Sequence, residues 1–176
     1  YLSTFGSAAG FSNATFNGEA GFDGATFSGF AGFYKSTFNG VAGFSKSTFT
    51  GAAGFGGATF SKGGAWFAGA TFTGAAGFKG ATFSKVAGFD GATFSGDALF
   101  EGATFSSGAG FGWATFSKVA GFDGATFSGD AWFGEARFVR YSRRLLGSAN
   151  FAASEPFKGA VFGPAEPDDA EEDVVV

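Results

Sequence analysis

An all-β chain wound into a parallel solenoid is what this 176-residue sequence predicts. Phenylalanine recurs at alternating spacings of five and six, through Phe5, Phe11, Phe16, Phe22, Phe27, Phe33 and Phe38 and on to Phe138. A small residue, nearly always alanine, stands two positions before each of them, as Ala87 does before Phe89 and Ala92 before Phe94. Glycine then closes each short apolar segment. A fixed short period dictates architecture before any local propensity is weighed. Residues two apart share one face of a strand, so each unit sends one small and one large apolar side chain to the same core. Helix is excluded, because each of the 33 regularly spaced glycines would cost about 1 kcal/mol against alanine. Short strands of three or four residues, bent at glycine, satisfy the pattern instead. Burial holds them together: each phenylalanine taken from water contributes roughly 1.5–3 kcal/mol, and rings stacked rung over rung add aromatic contacts.

Along the chain the units are pentads with a one-residue spacer after every second one. Ala14-Thr15-Phe16-Asn17-Gly18, spacer Glu19, then Ala20-Gly21-Phe22-Asp23-Gly24 shows the scheme. Spacers vary freely (Ala8, Phe30, Val41, Val86, Asp97, Asp130), which predicts a solvent-facing corner. Phe60 and Phe67 are seven apart, so Ser61-Lys62-Gly63-Gly64 holds one extra residue and predicts a bulged corner. Between Phe138 and Phe151 the gap is thirteen, and residues 139–148 read as an inserted loop or single helical turn. The period resumes at Phe151, Phe157 and Phe162 as degenerate units suited to a C-terminal cap. The expected organisation is a solenoid over 1–163 with that insertion, followed by an acidic, proline-bearing, disordered tail over 164–176.

Units such as Ala92-Thr93-Phe94-Ser95-Gly96 resemble the pentapeptide-repeat family, whose central residue is leucine or phenylalanine and whose residue two before it is small. The resemblance covers roughly residues 3–138 and 149–163. It implies a right-handed quadrilateral β-helix with four pentads per turn. Four pentads and two spacers make a turn of roughly 22 residues. A flat two-sided coil of half that length is the alternative. The square form is expected, because the shorter coil leaves too few residues for two reversals of direction. Its 28 core phenylalanines would then fill seven turns, roughly 33 Å at ~4.8 Å per rung.

Composition excludes much chemistry. Histidine and cysteine are absent, so neither a Ser-His nor a Cys-His nucleophile pair, nor the usual zinc ligand set, can be assembled. Asp90, Asp97, Asp123 and Asp130, near Lys85 and Lys118, read as solvated surface charge. Gly54-Phe55-Gly56-Gly57 has the look of a phosphate loop, but no helix follows it, so it is repeat. We expect no enzyme, no cofactor and no metal. No apolar run reaches the ~18–20 residues of a membrane span. No signal-peptide pattern is present in the sequence, which favours the cytoplasm as an expectation.

Three surface features remain as candidates. All four arginines, Arg137, Arg140, Arg143 and Arg144, fall within eight residues beside Tyr141, a composition typical of interface anchors. A capping loop with solvated arginines is the alternative there. Trp66, Leu99 and Trp132 stand 33 apart where most units carry glycine and could form a contact surface. Outward threonines and serines, from Thr15/Asn17 to Thr126/Ser128, form ranks similar to ice-binding faces. The family resemblance adds a further expectation, since some members bind type II topoisomerases such as gyrase by imitating DNA. Against this, six of the fifteen acids lie in the last eleven residues, leaving nine acids against eleven bases in the body.

The expected function is a non-catalytic scaffold or protein-binding module, with no direct contact to nucleic acid or membrane. The candidate partner-binding residues are Arg137, Arg140, Tyr141, Arg143, Arg144, Trp66 and Trp132. The chain starts at Tyr1 already in repeat register, so a trimmed N-terminal end with open strand edges is expected to stack end to end. Sedimentation checks this. The coefficient should rise with concentration, and a concentration-independent monomer would refute it.

Overall fold

A computed structural model describes residues 3–139, 148–152 and 156–163. Each repeat contributes a strand of only two residues, shorter than the period alone suggests. Thr-Phe strands alternate with strands that are mostly Ala-Gly. From Thr4–Phe5 to Thr115–Phe116 each strand pairs in parallel with the one four strands later, as Thr4 with Thr26 and Ala9 with Ala31. Beyond it Thr126–Phe127 pairs with Asn150–Phe151 and Arg137–Phe138 with Val161–Phe162. One turn therefore takes roughly 22 residues, and four separate sheets form the four sides of the coil. The flat two-sided alternative is thereby overturned, because none of the strands from Thr4–Phe5 to Ala131–Trp132 pairs with the second one after it. About seven turns are stacked, with no helix among the described residues.

Numbered in the order the chain meets them, faces I and III carry the Thr-Phe strands, starting at Thr4–Phe5 and Thr15–Phe16. Faces II and IV carry the Ala-Gly type, starting at Ala9–Gly10 and Ala20–Gly21. The extra residue at 61–64 sits in the corner before strand Ala65–Trp66, and pairing across it shifts by one, as in Thr59 with Thr82. The corner absorbs the insertion and the register resumes.

The core is four columns of phenylalanine. Phe27, Phe49, Phe72 and Phe94 follow one another at 4.7–4.9 Å with planes within 2° of parallel. The columns of faces II and IV meet in the middle edge to face, Phe44 lying 5.3 Å from both Phe33 and Phe55. Edge-to-face and stacked contacts each satisfy the ring quadrupole, and the buried small positions between columns hold alanine or, at Ser36 and Ser47, serine. From Phe27 to Phe138 every one of these rings is essentially inaccessible, while Phe5, Phe11, Phe16 and Phe22 of the first turn are half-buried. Phe30, a spacer, is the one phenylalanine outside the columns and is exposed.

Two kinds of corner close each turn. After an Ala-Gly-Phe unit the chain reverses through a hydrogen-bonded turn, as in Ala25 N–H to the Phe22 carbonyl (3.0 Å). Its third residue has positive φ, the type II geometry that favours glycine, and Gly24, Gly80 and Gly91 supply it. Asn13, Lys35, Lys46, Trp113 and Glu135 adopt the same conformation without being glycine. At Lys35 and Lys46 the next residue is serine, fully buried, whose hydroxyl donates to the turn carbonyl: Ser36 to Phe33 (2.7 Å) and Ser47 to Phe44 (2.6 Å). The second bond braces a turn that a side chain strains.

After a Thr-Phe unit the corner stacks backbone directly on backbone. A Cβ at Gly51 would lie 2.5 Å from the Gly29 carbonyl oxygen, and one at Gly96 equally close to Gly74. Gly51→Ala should therefore destabilise the fold by about 1–3 kcal/mol through overpacking, read as a lower midpoint in urea. Phe78→Ala, which opens a hole inside two stacked contacts, should cost about 3–5 kcal/mol in the same measurement.

Candidate functional site

Each outward aspartate at the Phe-plus-one position solves a backbone problem set by the turn. In such a turn the phenylalanine carbonyl is already used by its own i+3 amide, as Phe22 is by Ala25. The amide one rung on, which points back at that carbonyl, lacks an acceptor. Asp23 takes the Ser45 N–H (2.7 Å) and Asp90 the Gly112 N–H (3.0 Å). Asp123 takes both the N–H (2.9 Å) and the hydroxyl (2.8 Å) of Ser148. Asp90 and Asp123 are thus backbone caps, which explains their recurrence without acid–base chemistry. Asp97 and Asp130 are spacers on different corners and form no pair with them.

Charge is mixed around the coil. On the corner from face II to III, Glu101 and Asp123 stand with Lys35 and Lys79; on that from III to IV, Glu19 and Asp130 stand with Lys62 and Lys85. Lys79 and Glu101 form an ion pair of 3.4 Å, an exposed contact of small energetic weight. Among the described residues there is no group of three potential metal ligands and no continuous acidic stripe. No helix of the described residues is long and apolar enough to cross a membrane.

The strand register decides which candidates meet. Trp66 and Trp132 fall on face IV three rungs from each other, in strands Ala65–Trp66 and Ala131–Trp132. Leu99, midway between them in sequence, is carried to the opposite face II, because it is offset from each by one and a half turns. Each indole is laid across the glycines of its face. Ring atoms of Trp66 would lie 2.8–2.9 Å from a Cβ at Gly64 or Gly88, and Trp132 spans Gly112 and Gly134 in the same way. Trp113, which the spacing did not single out, sits in the turn leaving face IV and meets Trp132 edge to face at 5.0 Å and 84°. Its signal was a tryptophan standing where the repeat asks for glycine. All three tryptophans of the chain are therefore on one face or its edge.

The threonine ranks divide between faces I and III. On face III the second column is partly satisfied internally: Asn39 donates to Asn17 (3.1 Å) and Ser61 to Asn39 (2.9 Å). Arg137 lies exposed on the last strand but one of face I, paired with Thr115 and Val161. Arg140, Tyr141, Arg143 and Arg144 lie outside the described residues, as does the tail.

Four parallel sheets closed around phenylalanine columns define a four-sided β-solenoid repeat protein. The family model for pentapeptide repeats (9 copies) matches residues 2–48, 33–82, 67–112 and 78–124. The chain belongs to the pentapeptide-repeat family. No curated protein matches it.

The Ser148 N–H, then its hydroxyl, holds the Asp123 carboxyl below its ordinary value of 3.8. A lowered native pKa means the contact stabilises fully above the ordinary carboxylate range and is lost as pH falls through the lowered value. The amide resonance of Ser148 should accordingly titrate with a midpoint below 3.8, and the titration should vanish in Asp123→Asn. A midpoint at or above the ordinary value would remove the contact from the description.

Proposed function

We propose that this chain is a non-catalytic scaffold whose tryptophan-bearing face IV is a docking surface for a partner protein. The observation that carries this reading is the gathering of Trp66, Trp113 and Trp132 on a rigid, otherwise glycine-lined face. Indole rings are among the commonest interface anchors, and here they are 39%, 60% and 44% exposed. The stacked core supports the scaffold role, because it fixes the relative positions of outward side chains at no further entropic cost on binding. Family membership supports it as well, in that repeat solenoids present extended surfaces for binding.

The arginine cluster that begins at Arg137 is a second candidate contact. Topoisomerase binding by DNA mimicry draws no support from the mixture of acids and bases around the described coil. Ice binding draws none from the division of the threonine ranks between two faces.

The test compares the immobilised wild-type chain with Trp66→Ala/Trp132→Ala in extracts of the source cells. One protein species should be retained by the wild type and lost from the variant. The thermal midpoint should stay close to that of the wild type, since surface changes are usually within about 0.5 kcal/mol. Identical retention by both would refute docking at this face. In a gyrase supercoiling assay the chain should leave the reaction unchanged. Inhibition that disappears with alanine at Arg137, Arg140, Arg143 and Arg144 would replace this reading with topoisomerase binding.

A further inference from the structure

Trp113 occupies a position that its conformation disfavours. Its φ is +54°, in a turn where equivalent positions are mostly glycine. A bulky side chain with positive φ is a genuine outlier, and such strain persists where the surroundings or a function maintain it. The fold gains little from this residue, which is 60% exposed. Unlike Lys35 and Lys46, it has no serine after it to brace the turn, since Ala114 follows. What its ring does touch is Trp132, at right angles. The two indoles form an aromatic corner at the edge of face IV.

Carboxylates and cations both border that corner, and the carboxylate nearest to it is Asp90. Gly112 joins the parts: its N–H is held by Asp90 Oδ1 (3.0 Å), its outward side is covered by Trp132, and Trp113 follows it in the chain. Both carboxylate oxygens of Asp90 also lie over Gly110, the partly exposed glycine beside the corner. Glu135 stands one rung further along the same edge, and Asp130 is on the Trp132 rung at the opposite edge of the face. Two lysines and Arg137, which is exposed two residues after Glu135, flank the region. Lys85 is on the corner between faces III and IV, one rung before strand Ala109–Gly110. Lys158, which has a partner of its own, follows one rung beyond Gly134.

Face II shows what this chain does with an exposed ring when a cation is at hand. There Lys35 places its ammonium 5.1 Å from the Tyr34 ring. Neither indole of the face IV corner carries such a cation among the described residues.

We infer that the Trp113–Trp132 corner, with Asp90, is a receptor for a cationic side chain, arginine or lysine, on a basic segment of a partner protein. A cation over an indole face is attracted by the ring quadrupole, most strongly for tryptophan, and Asp90 supplies the counter-charge. Charge complementarity thus selects the occupant: a neutral apolar segment would leave the Asp90 carboxylate, which has only the Gly112 N–H, without a cation. The inference rests on the docking-face reading above and names the partner chemistry within it.

The three tryptophans make the test direct, because emission reports on this face alone. A capped arginine-containing pentapeptide and its citrulline counterpart are titrated into the full chain. The arginine peptide should give a saturable emission change, weakening with added salt, and the citrulline peptide should bind about three- to thirtyfold more weakly. Asp90→Asn, which keeps an oxygen for the Gly112 amide but removes the charge, should lose a similar factor. Trp113→Gly should lose binding too, while raising the thermal midpoint by roughly 2 °C as the left-handed strain is released. A merely structural Trp113 would not give that opposition.

Equal binding of the two peptides would overturn the inference and leave face IV as an uncharged docking surface. No emission change with either peptide would overturn it as well. Undiminished binding by Trp113→Gly would take the corner out of it. The docking-face reading itself is judged separately, by retention of the partner from extracts.

Discussion

The close stacking of phenylalanine on phenylalanine sets the terms for the rest of the molecule. Ring centroids repeat at 4.5–5.0 Å along the columns, about the spacing at which neighbouring strands hydrogen-bond. Side-chain stacking and backbone pairing therefore ask for the same rise, and neither is compromised. This explains how strands of two residues persist. Each alone is far below the size that folds independently, but each is held by a ladder above, a ladder below and a ring that touches its neighbours in three directions. Exchanging any one ring for a smaller residue breaks both a column and the herringbone across it.

That rise is imposed on the corners, which must stack at the same interval. Where a corner has no hydrogen-bonded turn, backbone lies close upon backbone, and Gly29, Gly51, Gly74 and Gly96 stand in one line there. Lys118 next in that line, and Lys85 and Ser107 at the equivalent corner, show that a side chain is admitted at some rungs. Where the corner is a hydrogen-bonded turn, one amide per rung is stranded. Asp23, Asp90 and Asp123 answer it from the rung before. Carboxylates that resemble scattered surface charge in one dimension complete the backbone's hydrogen bonding in three.

Function on such a frame lives in the exceptions to the repeat. A glycine-lined face is smooth, and a side chain placed on it is laid out against backbone with nothing to move. Trp66 and Trp132 are held in this way, whereas Trp113 is held on a left-handed backbone. Phe30 and Tyr34 do the equivalent on the opposite face, with Lys35 as the cation over the Tyr34 ring. The chain thus carries two aromatic surfaces of similar construction, one with a cation of its own over a ring and one without.

The sequence by itself determined the strand period, the identity of every core residue, the exposed spacers, the corner that absorbs an extra residue and the family. These are legible because each depends on residues within one unit: a small and a large apolar side chain two apart, followed by glycine. Only the tertiary structure decided which units share a face. The four-sided turn split the threonine ranks, sent Leu99 to the side opposite Trp66 and Trp132, and brought Trp113 against Trp132. Those outcomes depend on the length of each turn, which is set by how corners stack from rung to rung. Such contacts join positions a full turn apart, as Thr4 and Thr26 are, and no local pattern of five or six carries that information.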